Sequence, residues 1–151
     1  MSDTVLKIIP TEPAWTPAPT AATAAERLVR ERFCPDIRSI ASELTDTINF
    51  VDPGMELKSV SCPSCRTALD ERWWGERMNE AFETSFTNMN LVPPCCAHPT
   101  TLNALDYDWP SGFARFVLFA AGWTREPLTA AELDQVAGVL GYPVRQLFAR
   151  Y

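Results

Sequence analysis

The sequence has a single histidine, His98, and its six glycines are scattered along the chain. A Ser-His-Asp triad and a glycine-rich phosphate loop are therefore not predicted, because each needs residues that this chain does not group together. No apolar run approaches the roughly 18 residues that span a bilayer. Residues 1–7 lack the basic leader and long apolar stretch of a secretory signal, so we expect a cytoplasmic protein that does not enter a membrane.

Positive charge is also scarce: 13 Lys and Arg residues face 19 Asp and Glu residues, which gives a net charge of −6. An acidic protein repels phosphate backbones on average, which argues against a general nucleic-acid binder. The 151 residues are 46% hydrophobic and 21% charged, close to the usage of ordinary globular proteins. We therefore predict one compact domain.

Five cysteines are present, and four of them form two tight clusters, Cys62 with Cys65 and Cys95 with Cys96. An odd number fits a closed disulfide framework poorly, whereas clustered spacing is typical of a metal site in a reducing compartment. A Cys-x-x-Cys turn can direct two sulfurs to one ion, and a second pair can complete a tetrahedron. Thiolate-rich tetrahedral sites select Zn²⁺, so a zinc site is predicted.

Five side chains compete for the four ligand positions of that site. Cys95 and His98 reproduce the spacing of the first pair, whereas Cys95 and Cys96 are adjacent and must lie on a tight turn to bind one ion together. Both ligand sets, four cysteines or three cysteines with His98, remain open at this stage. Cys34 has no neighbouring cysteine and is predicted to be a core residue.

Residues 59–98 resemble the zinc-ribbon class, with a wider spacing between the cysteine pairs and a helix between them. The segment Tyr107–Phe116, which follows the Cys-Cys pair, resembles a segment of uncharacterised bacterial zinc-ribbon-like proteins. In those proteins the cysteine pair recurs without a histidine. The resemblance covers mainly residues 59–116 and implies that Cys62, Cys65, Cys95 and Cys96 are the four ligands.

The first part of the chain is predicted to contain a strand, a proline-rich connector, a helix and two further strands. The strand is Val5–Ile9, and four prolines mark residues 10–20 as an extended connector. Thr23 and Glu26 form a capping-box pattern for a helix whose apolar face comprises Ala25, Leu28, Val29 and Phe33. Two strands, Ile37–Leu44 and Ile48–Val51, are predicted around a turn at residues 45–47.

The remaining elements follow from apolar periodicity and capping signals. A helix over residues 70–83 places Trp74, Met78, Ala81 and Phe82 on one face. Phe113–Ala120 is typical of a central strand, apolar on both faces. Thr129 and Glu132 form a second capping box, before the stripe of Leu133, Val136, Ala137 and Leu140 and the helix end at Gly141. Val144–Tyr151 is predicted to be the last strand.

The two ends of the chain have the same predicted order of strand, helix and strand. Two such units favour an α+β fold, a ferredoxin-like split βαβ sheet into which a zinc-ribbon-like segment is inserted. Residues 1–58 would form the first half with its hairpin, residues 59–104 the zinc-binding insert, and residues 105–151 the second half.

No catalytic group of residues is predicted. The zinc deaminases need a His-x-Glu upstream of their cysteines, whereas His98 lies downstream and is followed by Pro99. Cys62–Cys65 also resembles a glutaredoxin-type redox motif, but three residues or more separate it from the next helix. Asp106 and Asp108 alternate on one face without a second acidic pair, so turn formation explains them better than acid–base catalysis. We therefore expect a protein that is not an enzyme.

Function is then expected to lie in surfaces. Trp73 is rotated by about 100° from Trp74 on their helix, so it is either a contact for a partner or covered by the proline-rich connector through Trp15. The leading hypothesis is an interaction or regulatory module, with an immunity-type partner as one case. A nucleic-acid-associated ribbon is the second hypothesis, although three arginines in residues 59–98 face five acidic residues. A thiol or zinc enzyme is the third.

Overall fold

A computed structural model describes residues 3–54 and 57–151 of the chain. Residues 1, 2, 55 and 56, which belong to the predicted first half, lie outside this description. The strands are β1 (Thr4–Pro10), β2 (Ser39–Val51), β3 (Ser59–Ser61), β4 (Asn90–Leu91), β5 (Thr100–Thr101), β6 (Asp106–Asp108), β7 (Gly112–Ala121) and β8 (Val144–Arg150). The α-helices are α1 (Pro19–Leu28), α2 (Glu71–Glu83) and α3 (Ala130–Leu140).

Four strands form the main sheet in the order β2-β7-β1-β8, and all neighbouring strands are antiparallel. The protein is therefore of the α+β class. Helices α1 and α3 pack on one face of this sheet around Leu6 and Ile8 of β1 and Phe116 and Leu118 of β7. Val136 of α3 is fully buried in the same core, as the predicted apolar stripe requires. Among the described residues, no helix is both long and apolar enough to cross a bilayer.

The predicted capping box at the start of the first helix is wrong. Helix α1 begins four residues earlier, at Pro19, whose fixed φ suits the first helical position and whose missing N–H needs no partner there. Thr23 Oγ1 therefore donates to the Pro19 carbonyl instead of capping, and Glu26 accepts from Ser42. The helix continues as one wider π-type segment, Val29–Phe33, before the buried thiol of Cys34.

The predicted pair of strands around residues 45–47 is a single strand, β2. Its register against β7 shifts between Leu44 and Asn49, so the polar residues form a bulge and not a chain reversal. Arg115 of β7 stabilises the bulge, because its Nε donates to the carbonyl of Thr45 at 2.9 Å. A polar interruption of an apolar pattern does not distinguish a bulge from a turn.

The insert has its own core, which is continuous with one end of the sheet. Phe113 of β7 and Ile48 of β2 are buried there together with Val60, Leu102 and Tyr107 of the insert. Strand β6 pairs with β3 and lies outside the main sheet, although the sequence assigned its residues to the second half. Asp106 and Asp108 are exposed on either side of the buried Tyr107.

Helix α2 confirms the predicted helix but only part of its apolar face. Ala81 is buried, and Trp74 and Met78 pack against the insert core. Phe82, predicted on that face, is 69% exposed and contacts Phe86 edge-on. Its position next to the helix end turns it away from the core that Ala81 enters.

The second capping box is confirmed and is joined to an ion pair. Thr129 Oγ1 accepts from the backbone of Glu132, and Glu132 accepts from the backbone of Thr129. Arg125 donates to both oxygens of Glu132, at 2.8 and 2.7 Å, and also to the carbonyl of Phe33. The hydrogen bonds from Arg125 and Thr129 lower the pKa of Glu132 from 4.5 to about 2.

Glu132→Gln should therefore destabilise the protein by about 1–2 kcal/mol at pH 7, since glutamine keeps the capping box but loses the charged pair. Because the folded-state pKa is depressed, the wild-type advantage is present above pH 4.5 and is lost as the pH falls toward 2. Urea denaturation at several pH values measures this difference. A gap between the two proteins that stays constant down to pH 2 would contradict the assigned role of the carboxylate.

Candidate metal centre

Four sulfurs from the two cysteine clusters meet at one point. The Sγ atoms of Cys62, Cys65, Cys95 and Cys96 all lie within 4.8 Å of one another. The Sγ of Cys62 is 3.5 Å from that of Cys96, and the Sγ of Cys65 is 3.3 Å from that of Cys95. A tetrahedral Zn²⁺ with Zn–S bonds of about 2.3 Å separates its sulfurs by about 3.8 Å. The four thiols are thus spaced to bind one metal ion.

The two turns that carry the cysteines have the same backbone hydrogen bond. The N–H of Arg66 donates to the carbonyl of Cys62 at 2.9 Å, and the N–H of Ala97 donates to the carbonyl of Pro93 at 3.2 Å. Arg66 and Ala97 also share a left-handed conformation, with φ of 65° and 57°. Each turn therefore reverses the chain over the same number of residues.

This correspondence explains how two adjacent cysteines reach one ion. Cys96 occupies the position of Cys65, directly before the left-handed residue, while Pro93 stands where the first turn has Cys62. Because Pro93 has no sulfur, the second sulfur of this turn comes from Cys95, one residue before Cys96. The tight turn thus brings neighbouring side chains together, which an extended backbone would not do.

His98 contributes its backbone and is not part of the group of four. Its N–H hydrogen-bonds the sulfur of Cys96, as the N–H of Thr67 does for Cys65 in the first turn. The His98 residue is exposed. The alternative of three cysteines with His98 is therefore not the set that the structure brings together.

The sulfurs differ in their electrostatic surroundings. Hydrogen bonds from the Thr67 side chain and backbone lower the pKa of the Cys65 thiol to about 6. The backbone N–H of Cys65 lowers the pKa of Cys62. The hydrogen bond with Cys65 raises the pKa of Cys95 to about 12.

The surrounding elements fix the first turn more firmly than the second. Strand β3 leads directly into Cys62, and the N–H of Cys62 donates to the carbonyl of Thr67 at 2.9 Å. Cys62 is fully buried, whereas Cys65 and Cys95 are exposed. Asp70 caps helix α2 by accepting from the N–H of Trp73, so the helix starts five residues after the turn. The group of four sulfurs therefore lies at the surface of the insert.

Trp73, the predicted interaction residue, is half-buried. Its ring packs against the insert core, and the guanidinium of Arg77 lies 5.7 Å from the ring centroid. Trp15 stacks on Tyr142 at 5.0 Å, so it does not provide the cover predicted for Trp73 from the proline-rich connector. Contact between Trp73 and a partner stays a prediction.

The left-handed residue of the second turn gives a stability prediction. Ala97→Gly should stabilise the protein by about 1 kcal/mol, because glycine adopts a positive φ without the steric cost of a Cβ. Ala24→Gly is the matched control, since Ala24 is also exposed but lies inside helix α1, and it should destabilise by about 1 kcal/mol. Thermal denaturation measures both changes. Equal destabilisation by the two substitutions would rule out a left-handed residue at position 97.

Comparisons of the chain with models of known protein families, with curated proteins and with solved structures found no match. The case for a metal site therefore rests on the positions of Cys62, Cys65, Cys95 and Cys96.

Proposed function

We propose that the four cysteines bind one Zn²⁺ in a closed structural site. The observation that carries this proposal is the mutual distance of at most 4.8 Å among four sulfurs from two turns of like geometry. A catalytic zinc keeps a coordination position for water, whereas four thiolates fill the tetrahedron. The ion then holds the insert together and performs no reaction, and the protein is not an enzyme.

We interpret the strand order β2-β7-β1-β8 as a ferredoxin-like split βαβ sheet. In support, β1 and β2 are connected through α1 with β7 between them, and β7 and β8 are connected through α3 with β1 between them. The zinc-ribbon-like segment is then an insertion between the two units, after β2 and before β7.

The function of the insert, on this proposal, is to bind another protein as an interaction or regulatory module, of which an immunity-type pair is one case. Two large apolar side chains on the insert support it: Phe82 is 69% exposed and Val92 is 53% exposed. Aromatic side chains such as phenylalanine are enriched at protein interfaces. A metal-held insert would present them in a fixed arrangement.

The charges of the insert do not favour a nucleic-acid-associated ribbon. Arg66 pairs with Asp106 at 3.1 Å, and Arg77 pairs with Glu80 at 3.0 Å. Arg72 lies 4.0 Å from Glu76. Each of the three arginines in residues 59–98 therefore has a carboxylate beside it, which reduces its attraction to phosphate.

The geometry also gives little support to thiol redox catalysis. In glutaredoxin-type motifs a helix N-terminus stabilises the attacking thiolate. Here α2 begins at Glu71, and Asp70 rather than a cysteine caps it, accepting the free N–H of Trp73. Four sulfurs at one point are explained by one ion and not by a two-thiol reaction.

Metal content tests the closed site directly. Protein purified without added metal should contain one zinc per chain, and Co²⁺ exchange should give the intense visible bands of a tetrahedral ion with a thiolate charge-transfer band. A bound ion with exchangeable water, or protein that folds fully without any metal, would disprove the closed structural site.

Purification under gentle conditions from the native host tests the interaction. A partner should be recovered at 1:1 stoichiometry, and the complex should re-form from the purified components. Phe82→Ser should weaken it at least tenfold, while Leu44→Ser, at an equally apolar site 56% exposed on β2, should not. A complex that is insensitive to Phe82 and survives loss of the metal would exclude the insert as the interaction surface.

A further inference from the structure

The face of the main sheet opposite helices α1 and α3 carries a cavity of about 240 Å³. Lys7 of β1 and Val117 and Phe119 of β7 line it, and Lys7 alternates with Leu6 and Ile8, which face the helices. This volume is below the 300–1,000 Å³ of pockets for drug-sized molecules. It would hold a small metabolite.

Lys7 is a buried cation without a carboxylate partner. The residue is 3% exposed, and its ammonium donates to the carbonyl of Asp52 at 2.8 Å and to the hydroxyl of Tyr151 at 2.7 Å. Its Nζ lies 5.7 Å from the ring centroid of Phe119. Within residues 3–54 and 57–151, no carboxylate lies within 4.0 Å of it. A buried charge of this kind is costly unless something balances it.

The other charged side chains that line the cavity do not form an ion pair with Lys7. Arg115 lines the opposite end, four residues along β7 from Phe119, and uses its Nε to hold the bulge of β2. The carboxylate of Asp52 accepts the N–H of Gly54 at 2.7 Å. Glu43 also lines the cavity, but it is exposed on the edge strand, and β7 lies between it and Lys7. Neither acid neutralises Lys7 through a contact.

We propose that this cavity binds a small organic carboxylate. The carboxylate accepts the third N–H of the Lys7 ammonium, and the apolar body of the ligand packs on Val117 and Phe119. Arg115 adds a second cation at the far end of the cavity, whose two acids are the exposed Glu43 and Asp52, the latter already hydrogen-bonded to Gly54. A charge-assisted hydrogen bond in a place poor in water is stronger than the same bond at the surface. A charged residue inside the apolar run Val5–Ile9 is the signal that sequence reasoning missed.

A titration followed by ¹H–¹⁵N NMR on the zinc-loaded chain tests the proposal with acetate, benzoate and benzamide. Benzoate should shift the amides of residues 45–52 and 114–119 in a saturable manner. Acetate should act at the same amides with lower affinity, because it lacks the apolar body. Benzamide, which is neutral and of the same shape, should bind at least tenfold more weakly than benzoate.

Lys7→Met should weaken benzoate binding at least tenfold, while Lys58→Met, which removes an exposed lysine directly before β3, should leave it unchanged. If Lys7→Met fails to fold, Arg115→Gln should still lower the affinity for benzoate, and the comparison of benzoate with benzamide in the wild type remains decisive. Equal binding of benzamide, shifts on the helical face, or no saturable shift with either carboxylate would overturn the proposal.

Discussion

Cys62→Ser should release the metal and unfold the insert while leaving the main sheet folded. Cys62 is the one fully buried ligand of the four, and its turn is held by β3 and by the hydrogen bond to Thr67. Structural zinc supplies on the order of 10 kcal/mol to the folding of isolated modules. Besides Ile48 and Phe113 of the sheet, the buried cluster contains seven apolar side chains of the described residues: Val60, Ala81, Phe86, Leu91, Leu102, Leu105 and Tyr107. A core of this size rarely supplies more than about 3–5 kcal/mol, which is less than the contribution expected from the ion.

Metal analysis and ¹H–¹⁵N NMR measure this outcome. The variant should bind less than one tenth of an equivalent of zinc, and the amides of residues 59–98 should lose their dispersion while those of β1 and β8 keep theirs. Removing zinc from the wild type with a strong chelator should give the same spectrum, because the ion and not the cysteine itself holds the insert.

His98→Ala is the matched control for the ligand set. If Cys96 is the fourth ligand, this variant should keep one zinc and the wild-type spectrum, since only the backbone N–H of His98 contacts the cluster. If His98→Ala lost its zinc and Cys96→Ser retained it, the fourth ligand would be His98 and not Cys96. Retention of zinc by Cys62→Ser would disprove the four-cysteine assignment altogether.

The cysteine spacing predicts that the two clusters meet, but it leaves Cys96 and His98 as alternatives and does not show how Cys95 and Cys96 could both reach one point. The two side chains meet because Ala97 is in the left-handed conformation. The sequence does not predict this conformation, because alanine rarely adopts a positive φ. Glycine at that position would have been a signal. A backbone conformation that the surrounding structure imposes on an ordinary residue therefore cannot be predicted from the residue type.

The strands of the main sheet and the helices on it could be predicted where the sequence carries a signal for the start, the apolar face and the end of the element. Helix α3 has its cap, its apolar stripe and a left-handed Gly141, and each was found at its predicted place. Strand β2 and the start of α1 were not, because a bulge at Thr45 and a proline start at Pro19 depend on the packing partner as much as on the local pattern. The pairing of β6 with β3 is a contact between distant segments that periodicity does not encode.

With zinc bound as proposed, the ion and the sheet support the insert at two different ends. The cysteines close one end of it, and at the other end Phe113 extends the insert core into β7. Substitutions of the cysteines and of Phe113 should therefore have different effects on folding. Loss of the ion should disorder the insert locally. Loss of the Phe113 side chain should lower the stability of the whole domain, because β7 is a central strand of the sheet.

Phe113→Ala should destabilise the protein by about 3–5 kcal/mol, as removal of a large buried aromatic side chain does in general. Phe113 is fully buried, and its ring lies 5.2 Å from those of both Phe50 and Phe86. Phe82→Ala is the control: it removes an identical side chain that is 69% exposed, so it should change the stability by less than about 0.5 kcal/mol. Urea denaturation of the zinc-loaded proteins measures both. Phe113→Ala should keep its zinc, and a loss of less than 1 kcal/mol would show that the insert and the sheet do not share a core.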